Sequence, residues 1–166
     1  MNRPLFGGAF QLDLPDNFLD VSQLRQVPDN QEVFVSKDSD ESFVIELLET
    51  PDASLDSSIE YHWKDLCEAN TASECKILKS ENVSIVSLDI AHKEETLVGI
   101  QSVPKFGKAA DIEQVTLYLY LLRIHNLNTD ILISWNIPGS HPEESDKFMS
   151  ILKSLHVLDL SIFNVQ

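Results

Sequence analysis

The chain has 166 residues, of which 43% are hydrophobic and 23% charged, with seven prolines and five glycines. This composition is that of an ordinary globular protein, and it excludes a collagen-like, coiled-coil or intrinsically disordered chain. The 27 Asp and Glu residues outnumber the 12 Lys and Arg residues, giving a formal net charge of −15. Because such a surface repels a phosphate backbone, we expect no nucleic acid among the partners.

The acidic residues are concentrated in the amino-terminal half. Residues 1–70 carry 15 acidic and 4 basic side chains, a net charge of −11, whereas residues 71–166 carry 12 and 8, a net charge of −4. An acidic surface speeds encounter with a basic partner through long-range attraction, although acidity also serves solubility alone. The charge therefore suggests a basic partner without identifying it.

Neither the cysteines nor the hydrophobic segments indicate a special environment. Cys67 and Cys75 lack CxxC spacing and have no second pair with which to bind zinc, so we expect both to be reduced and packed. The first residues lack the apolar core of a signal peptide, and no segment approaches the ~18 apolar residues of a membrane span. We expect a soluble intracellular protein with no membrane span.

The first half of the chain predicts three strands and a helix. Phe10, Leu12 and Leu14 alternate with polar residues, which indicates a strand, and Gly7-Gly8 permits a tight bend before it. The β-rich segments 32–35 and 43–48 predict a hairpin. A helical period follows between Ser57 and Asn70, where Ser57 and Glu60 form a capping box.

The second half predicts four further strands and a last helix. Period-two patterns cover 83–90, 96–103, 115–124 and 130–137, and the third of these is apolar on both faces, as in a covered central strand. A helix beginning near Ser140 places Phe148, Ile151, Leu152 and Leu155 on one face. This element order predicts one domain over residues 1–166, an α/β/α sandwich with a mostly antiparallel, six-stranded sheet and helices on both faces.

The motifs of common catalytic and cofactor sites are missing from the sequence. It contains no GxGxxG or P-loop pattern, no HExxH and no GxSxG, and the five histidines lack metal-ligand spacing. We therefore expect no catalytic residue, no cofactor and no metal.

Two acidic features stand out in the first half. One is the loop from Asp20 to Glu32, whose regular apolar residues indicate an ordered excursion. Within it, Asp20 fits the cap of a turn begun at Ser22, and Asp29 fits an ordinary turn position, so structural and functional interpretations stand side by side.

The other feature is Glu46, which interrupts a strand otherwise suited to burial on both faces. In a regular strand Glu46 and Glu49 point to opposite faces, so they form one patch only if the chain bends near Leu48 or the sheet edge exposes both. The structural alternative is a buried Glu46 paired with Arg25 or Lys64.

At these segments the chain closely resembles the Mog family, the Ran guanine nucleotide release factors. The stretch Val27-Pro28-Asp29-Asn30-Gln31-Glu32-Val33 is the most specific, and residues 72–110 contribute no motif. The other matching segments are Leu5-Phe6-Gly7-Gly8-Ala9, Asp20-Val21-Ser22-Gln23-Leu24-Arg25, Val44-Ile45-Glu46-Leu47-Leu48-Glu49, Asp65-Leu66, Leu122-Arg123 and Thr129-Asp130-Ile131-Leu132-Ile133.

The resemblance implies a PsbP-like fold and a monomeric nuclear protein, present partly in the cytoplasm, that binds the GTPase Ran. Its implied role is to release guanine nucleotide from Ran in support of nuclear import, and whether a second Ran-binding protein joins the same complex stays open. The matching positions place the Ran-binding acids at Asp20, Glu46 and Glu49, and we extend the set to Asp29 and Glu32 because they are near in sequence. An acidic adaptor that binds Ran without releasing nucleotide remains the alternative, and a small-ligand or catalytic α/β domain is a more distant one.

Overall fold

A seven-stranded antiparallel sheet forms the centre of the protein, seen here in a computed structural model that describes residues 1–52, 58–105 and 108–163, with backbone alone at residue 109. The strands are β1 (Asn2–Leu5), β2 (Phe10–Asp13), β3 (Phe18–Asp20), β4 (Gln31–Ser36), β5 (Ser42–Glu49), β6 (Glu74–Asn82), β7 (His92–Lys105), β8 (Lys108–Ile124), β9 (Thr129–Pro138) and β10 (His156–Val157). The strand order of the large sheet is β3-β4-β5-β9-β8-β7-β6, and a separate three-stranded sheet has the order β1-β2-β10.

Strands β8 and β9 lie in the interior of the large sheet because their side chains are apolar on both faces. Every residue from Thr116 to Ile124 is buried, as the double-sided pattern predicts. Next to them, β5 pairs with β9 without interruption from Ser42, opposite Asn136, to Glu49, opposite Thr129. This unbroken register fixes which face each β5 side chain occupies.

Two helices pack on opposite faces of the sheet, as predicted. Helix α1 (Ser58–Ala69) packs against β7 and β8 and buries Ile59 and Trp63 there. Helix α2 (Ser145–Leu152) buries Phe148 on the other face, where its ring lies 6.2 Å from that of Trp135. The predicted capping residue Ser57 lies outside the described residues. No described helix is long and apolar enough to cross a membrane.

The predicted count of six strands is wrong, and so is the strand predicted at 83–90. Residues 83–88 have no regular secondary structure, and the missing edge strand is β6 just before them. The loop imitates a strand pattern because Val83, Ile85, Leu88 and Ile90 pack against the core that contains Val86. Strand β6 has no apolar alternation because all nine of its residues are exposed.

The two cysteines are joined in a disulfide and Cys75 is exposed, so the expectation that both are reduced and packed is wrong. Cys67 lies near the end of α1 and Cys75 on β6, with their Cα atoms 6.5 Å apart. This distance lies within the usual range for a disulfide. The two cysteines lie eight residues apart in sequence, and they meet because the chain turns back after α1 to form β6. The spacing alone did not indicate this pairing.

Candidate functional site

A buried polar network anchors the end of β5 and the beginning of α1. The carboxylate of Asp130, fully buried at the start of β9, accepts two hydrogen bonds of 2.7 Å from Arg123 and one of 3.0 Å from Thr50 Oγ1. His62 Nε2 on α1 lies 2.7 Å from the same carboxylate, and Arg123 also donates to Ser58 Oγ at 2.8 Å. Four segments therefore meet at Asp130.

The charges in this network stabilise one another. Burial alone would raise the pKa of Asp130, but the hydrogen bonds from Arg123 and His62 outweigh it and hold that pKa below its ordinary value. The Asp130 carboxylate raises the pKa of Arg123. A bidentate guanidinium–carboxylate pair of this kind is both strong and geometrically specific. Because Thr50 follows Glu49 directly, the network fixes the backbone next to Glu49.

The loop before β4 is ordered by its own polar side chains. Asp20 accepts hydrogen bonds from the Ser22 backbone N–H at 2.9 Å and from Ser22 Oγ at 2.7 Å. The predicted turn cap is therefore confirmed. Asp29 lies exposed in a turn closed by the Gln31 N–H donating to the Pro28 carbonyl at 3.0 Å, which confirms the turn interpretation of that residue.

Glu32 is half-buried and fixes the bend at the end of β1. Its Oε1 accepts a 2.9 Å hydrogen bond from the Phe6 N–H. Phe6 has φ +50° and is followed by Gly7 at +71°, a left-handed conformation that is costly for a bulky residue and free for glycine. Glu32 therefore holds a strained backbone in place.

An open groove of about 480 Å³ lies between this bend and the loop before β4. Asp29 and Glu32 line it together with Ser22, which binds Asp20. Its other lining residues are Phe6, Gly7, Val27, Pro28, Gln31, Leu47 and Ile162. The structure thus brings Asp20, Asp29 and Glu32 to one region.

Glu46 and Glu49 do not share a face of the sheet. The register of β5 with β9 is regular throughout, so residues three apart point in opposite directions. Glu46 is half-buried on the α1 face, where Gln31 Nε2 donates to its Oε2 at 3.1 Å. The structural alternative of a buried pair with Arg25 or Lys64 is therefore wrong.

Glu49, the last residue of β5, is exposed and borders a cleft of about 450 Å³ between the end of that strand and α1. Tyr61 and Asp65 of α1 line the same cleft. Gln31 connects the separate parts of the surface, because it borders the groove and also holds Glu46. The five acids therefore lie toward one end of the large sheet, where β4 begins and β5 ends, and Glu49 points to the opposite face from Glu46.

Three buried residues that fix the chain beside Glu49 were not predicted from the sequence. Asp130, Arg123 and His62 were not among the predicted site residues. The signal available was a charged residue inside each of two strongly apolar strands, since buried charges occur only when paired. No group of three or more potential metal ligands occurs in the part of the chain that the structure describes.

Comparison with known proteins identifies the family. The profile of a family described as "Ran-interacting Mog1 protein" matches residues 3–138. The chain belongs to the Mog1 family. It is 33% identical to the Ran guanine nucleotide release factor of Danio rerio, over 98% of this chain and 100% of that protein, and 35% identical to the Homo sapiens protein of the same name, over 98% and 96%.

Solved structures agree with this membership. The Saccharomyces cerevisiae Ran-binding protein Mog1p superimposes with a TM-score of 0.75 at 28% identity, over 98% of this chain and 97% of that one. The Mog1-like fold, a mixed α/β architecture with mostly antiparallel strands, is thus shared along nearly the whole chain.

Proposed function

We propose that this protein binds Ran and promotes the release of its guanine nucleotide, in support of nuclear protein import. The same assignment makes it a regulator of the exchange-factor type, acting in the nucleus and partly in the cytoplasm. The observation that carries the proposal is the acidic end of the sheet, where Asp29 and Glu49 are exposed and hydrogen bonds hold the half-buried carboxylates of Asp20, Glu32 and Glu46. Membership of the Ran-interacting family, together with relatives named as Ran guanine nucleotide release factors, supports it.

The five acids have different roles in this proposal. Glu46, Glu49 and Asp29 make direct contacts with Ran, because none of them has a hydrogen bond to the backbone among the described contacts. Asp20 and Glu32 each accept a hydrogen bond from a backbone N–H. These two hold the loop and the bend in shape, and they add to the negative potential that attracts a basic partner.

A release factor must bind nucleotide-free Ran more tightly than nucleotide-bound Ran. A ligand shifts an equilibrium only by its difference in affinity for the two states, and the effect is reciprocal. Carboxylates supply such a difference in two ways. They pair with basic groups of Ran that the departing phosphates leave exposed, and they repel those phosphates when nucleotide is bound.

The experiment is to measure the release of fluorescent GDP and GTP from purified Ran at increasing concentrations of the protein, with binding measured in parallel. A release rate that rises with protein concentration to a plateau, and is half-maximal at the dissociation constant for Ran, supports a release factor. Tight binding with unchanged release makes the protein an adaptor, and no binding contradicts the proposal. The single variants Glu46→Lys and Glu49→Lys then show whether one or both faces of β5 contribute.

A further inference from the structure

One end of the large sheet has an apolar face that α1 does not bury. Where α1 packs, the side chains of Leu117 and Leu119 are at most 1% exposed. On the same face, the register places side chains of β3, β4 and β5 beyond the helix. The open face comprises Leu19, Gln31, Val33, Val35, Ser42, Val44 and Glu46.

Both faces of these strands are apolar, but only one of them is buried. Phe34 and Phe43, which point to the opposite face, are at most 2% exposed. On the open face, Val33, Val35 and Val44 are only half-buried, and Leu19 is 36% exposed. A sheet face directed to solvent normally carries polar side chains, so an apolar one rimmed by polar residues indicates a contact surface.

Glu46 gives this surface its chemical character. It is the single charged residue of the seven that form the open face, and its cross-strand neighbour Gln31 holds it in place. Val33 and Val44, paired with each other, occupy the adjacent position on the same two strands. The surface therefore fits a partner that presents one basic side chain surrounded by apolar side chains.

We propose that Ran docks on the open face, with a lysine or arginine of Ran paired to Glu46 and apolar side chains of Ran packed on Val33, Val35, Val44 and Leu19. This inference rests on the proposed function and extends it from the carboxylates to the apolar contacts around them. Apolar side chains that exclude water from a central ion pair strengthen that pair and supply binding energy of their own.

The test is the double variant Val33→Thr, Val44→Thr, which keeps the β-branched shape and the charge of the surface. We expect its dissociation constant for nucleotide-free Ran to rise about tenfold, since buried interface contacts commonly have effects of this size. The matched control is Ile77→Thr, Val103→Thr, on β6 and β7 at the far end of the same sheet. Thermal unfolding of both double variants confirms that they fold.

Salt separates the two kinds of contact. Ionic screening weakens charge pairs and leaves apolar contacts almost unchanged, so the effect of the valine variant should persist at 0.5 M salt while that of Glu46→Gln shrinks. A valine variant within twofold of wild type, beside a Glu46→Gln variant that binds poorly, overturns the docking inference and leaves the proposed function intact. Failure of the wild-type protein to bind Ran overturns both.

Discussion

The Asp130 network makes a strong prediction about stability, tested by Asp130→Asn. The substitution keeps the size of the side chain but removes its charge and half of its acceptor capacity. Asp130 accepts four hydrogen bonds, two from Arg123 and one each from Thr50 and His62. Arg123 is 1% exposed, so the variant leaves a buried guanidinium without its counter-charge. Removing one partner of a buried ion pair costs about 3 to 5 kcal/mol.

The assay is equilibrium urea unfolding at pH 7, with Asp65→Asn as the control because Asp65 is an exposed carboxylate on the same helix as His62. We expect a large fall in the free energy of unfolding for Asp130→Asn and a midpoint close to wild type for the control. A loss below about 1 kcal/mol for Asp130→Asn, comparable to an ordinary neutral hydrogen bond, would show that Asp130 does not act as the buried counter-charge of Arg123.

The stabilising effect of the Asp130 carboxylate should also depend on pH. Because the pKa of Asp130 is lowered in the folded state, the unfolded chain binds more protons in the acid range, and stability rises with pH there. The contribution of Asp130 is complete above its unfolded pKa of about 3.9 and is lost as pH falls through the lower folded value. The difference in free energy of unfolding between the wild-type protein and Asp130→Asn should therefore be constant from about pH 7 to 5 and become smaller below about pH 4.

Substitutions at three further positions test the contacts that hold the fold. Gly99→Ala places a Cβ against the ring of Trp63, so we expect a loss of about 1 to 3 kcal/mol from overpacking, measured by thermal unfolding. Glu94→Gln removes a buried carboxylate that accepts from two backbone N–H groups of the loop after β6, and urea unfolding should show a loss of about 1 to 3 kcal/mol. Glu32→Ala frees the Phe6 N–H and should cost about 1 kcal/mol, whereas Glu32→Gln, which still accepts from it, should cost much less by the same assay.

The sequence predicted those parts of the fold in which one periodic pattern dominates. The doubly apolar run ending at Ile124 became the buried strand β8, and the helical period after Ser57 became α1. The prediction was wrong where contacts between distant residues determine the secondary structure. Residues 83–90 alternate as a strand does, yet the buried carboxylate of Glu94 binds the N–H groups of Ile85 and Val86 and holds the segment as a loop.

The candidate site was predicted by residue but not by arrangement. The alternation of side chains along a strand correctly predicted that Glu46 and Glu49 lie on opposite faces, because residues three apart in a regular strand point in opposite directions. The hydrogen bonds of Glu46 with Gln31 and of Glu32 with Phe6 depend on how strands pair and where the chain returns. Such contacts between distant residues leave no local pattern in a single sequence.

The most direct test of the proposed function is the rate at which Ran loses fluorescent GDP or GTP, measured with the wild-type protein and with the folded double variant Glu46→Lys, Glu49→Lys. We expect the wild-type protein to accelerate release and the double variant to leave the release rate unchanged. Equal acceleration by both proteins would contradict the claim that this protein acts on Ran through the acidic strand β5.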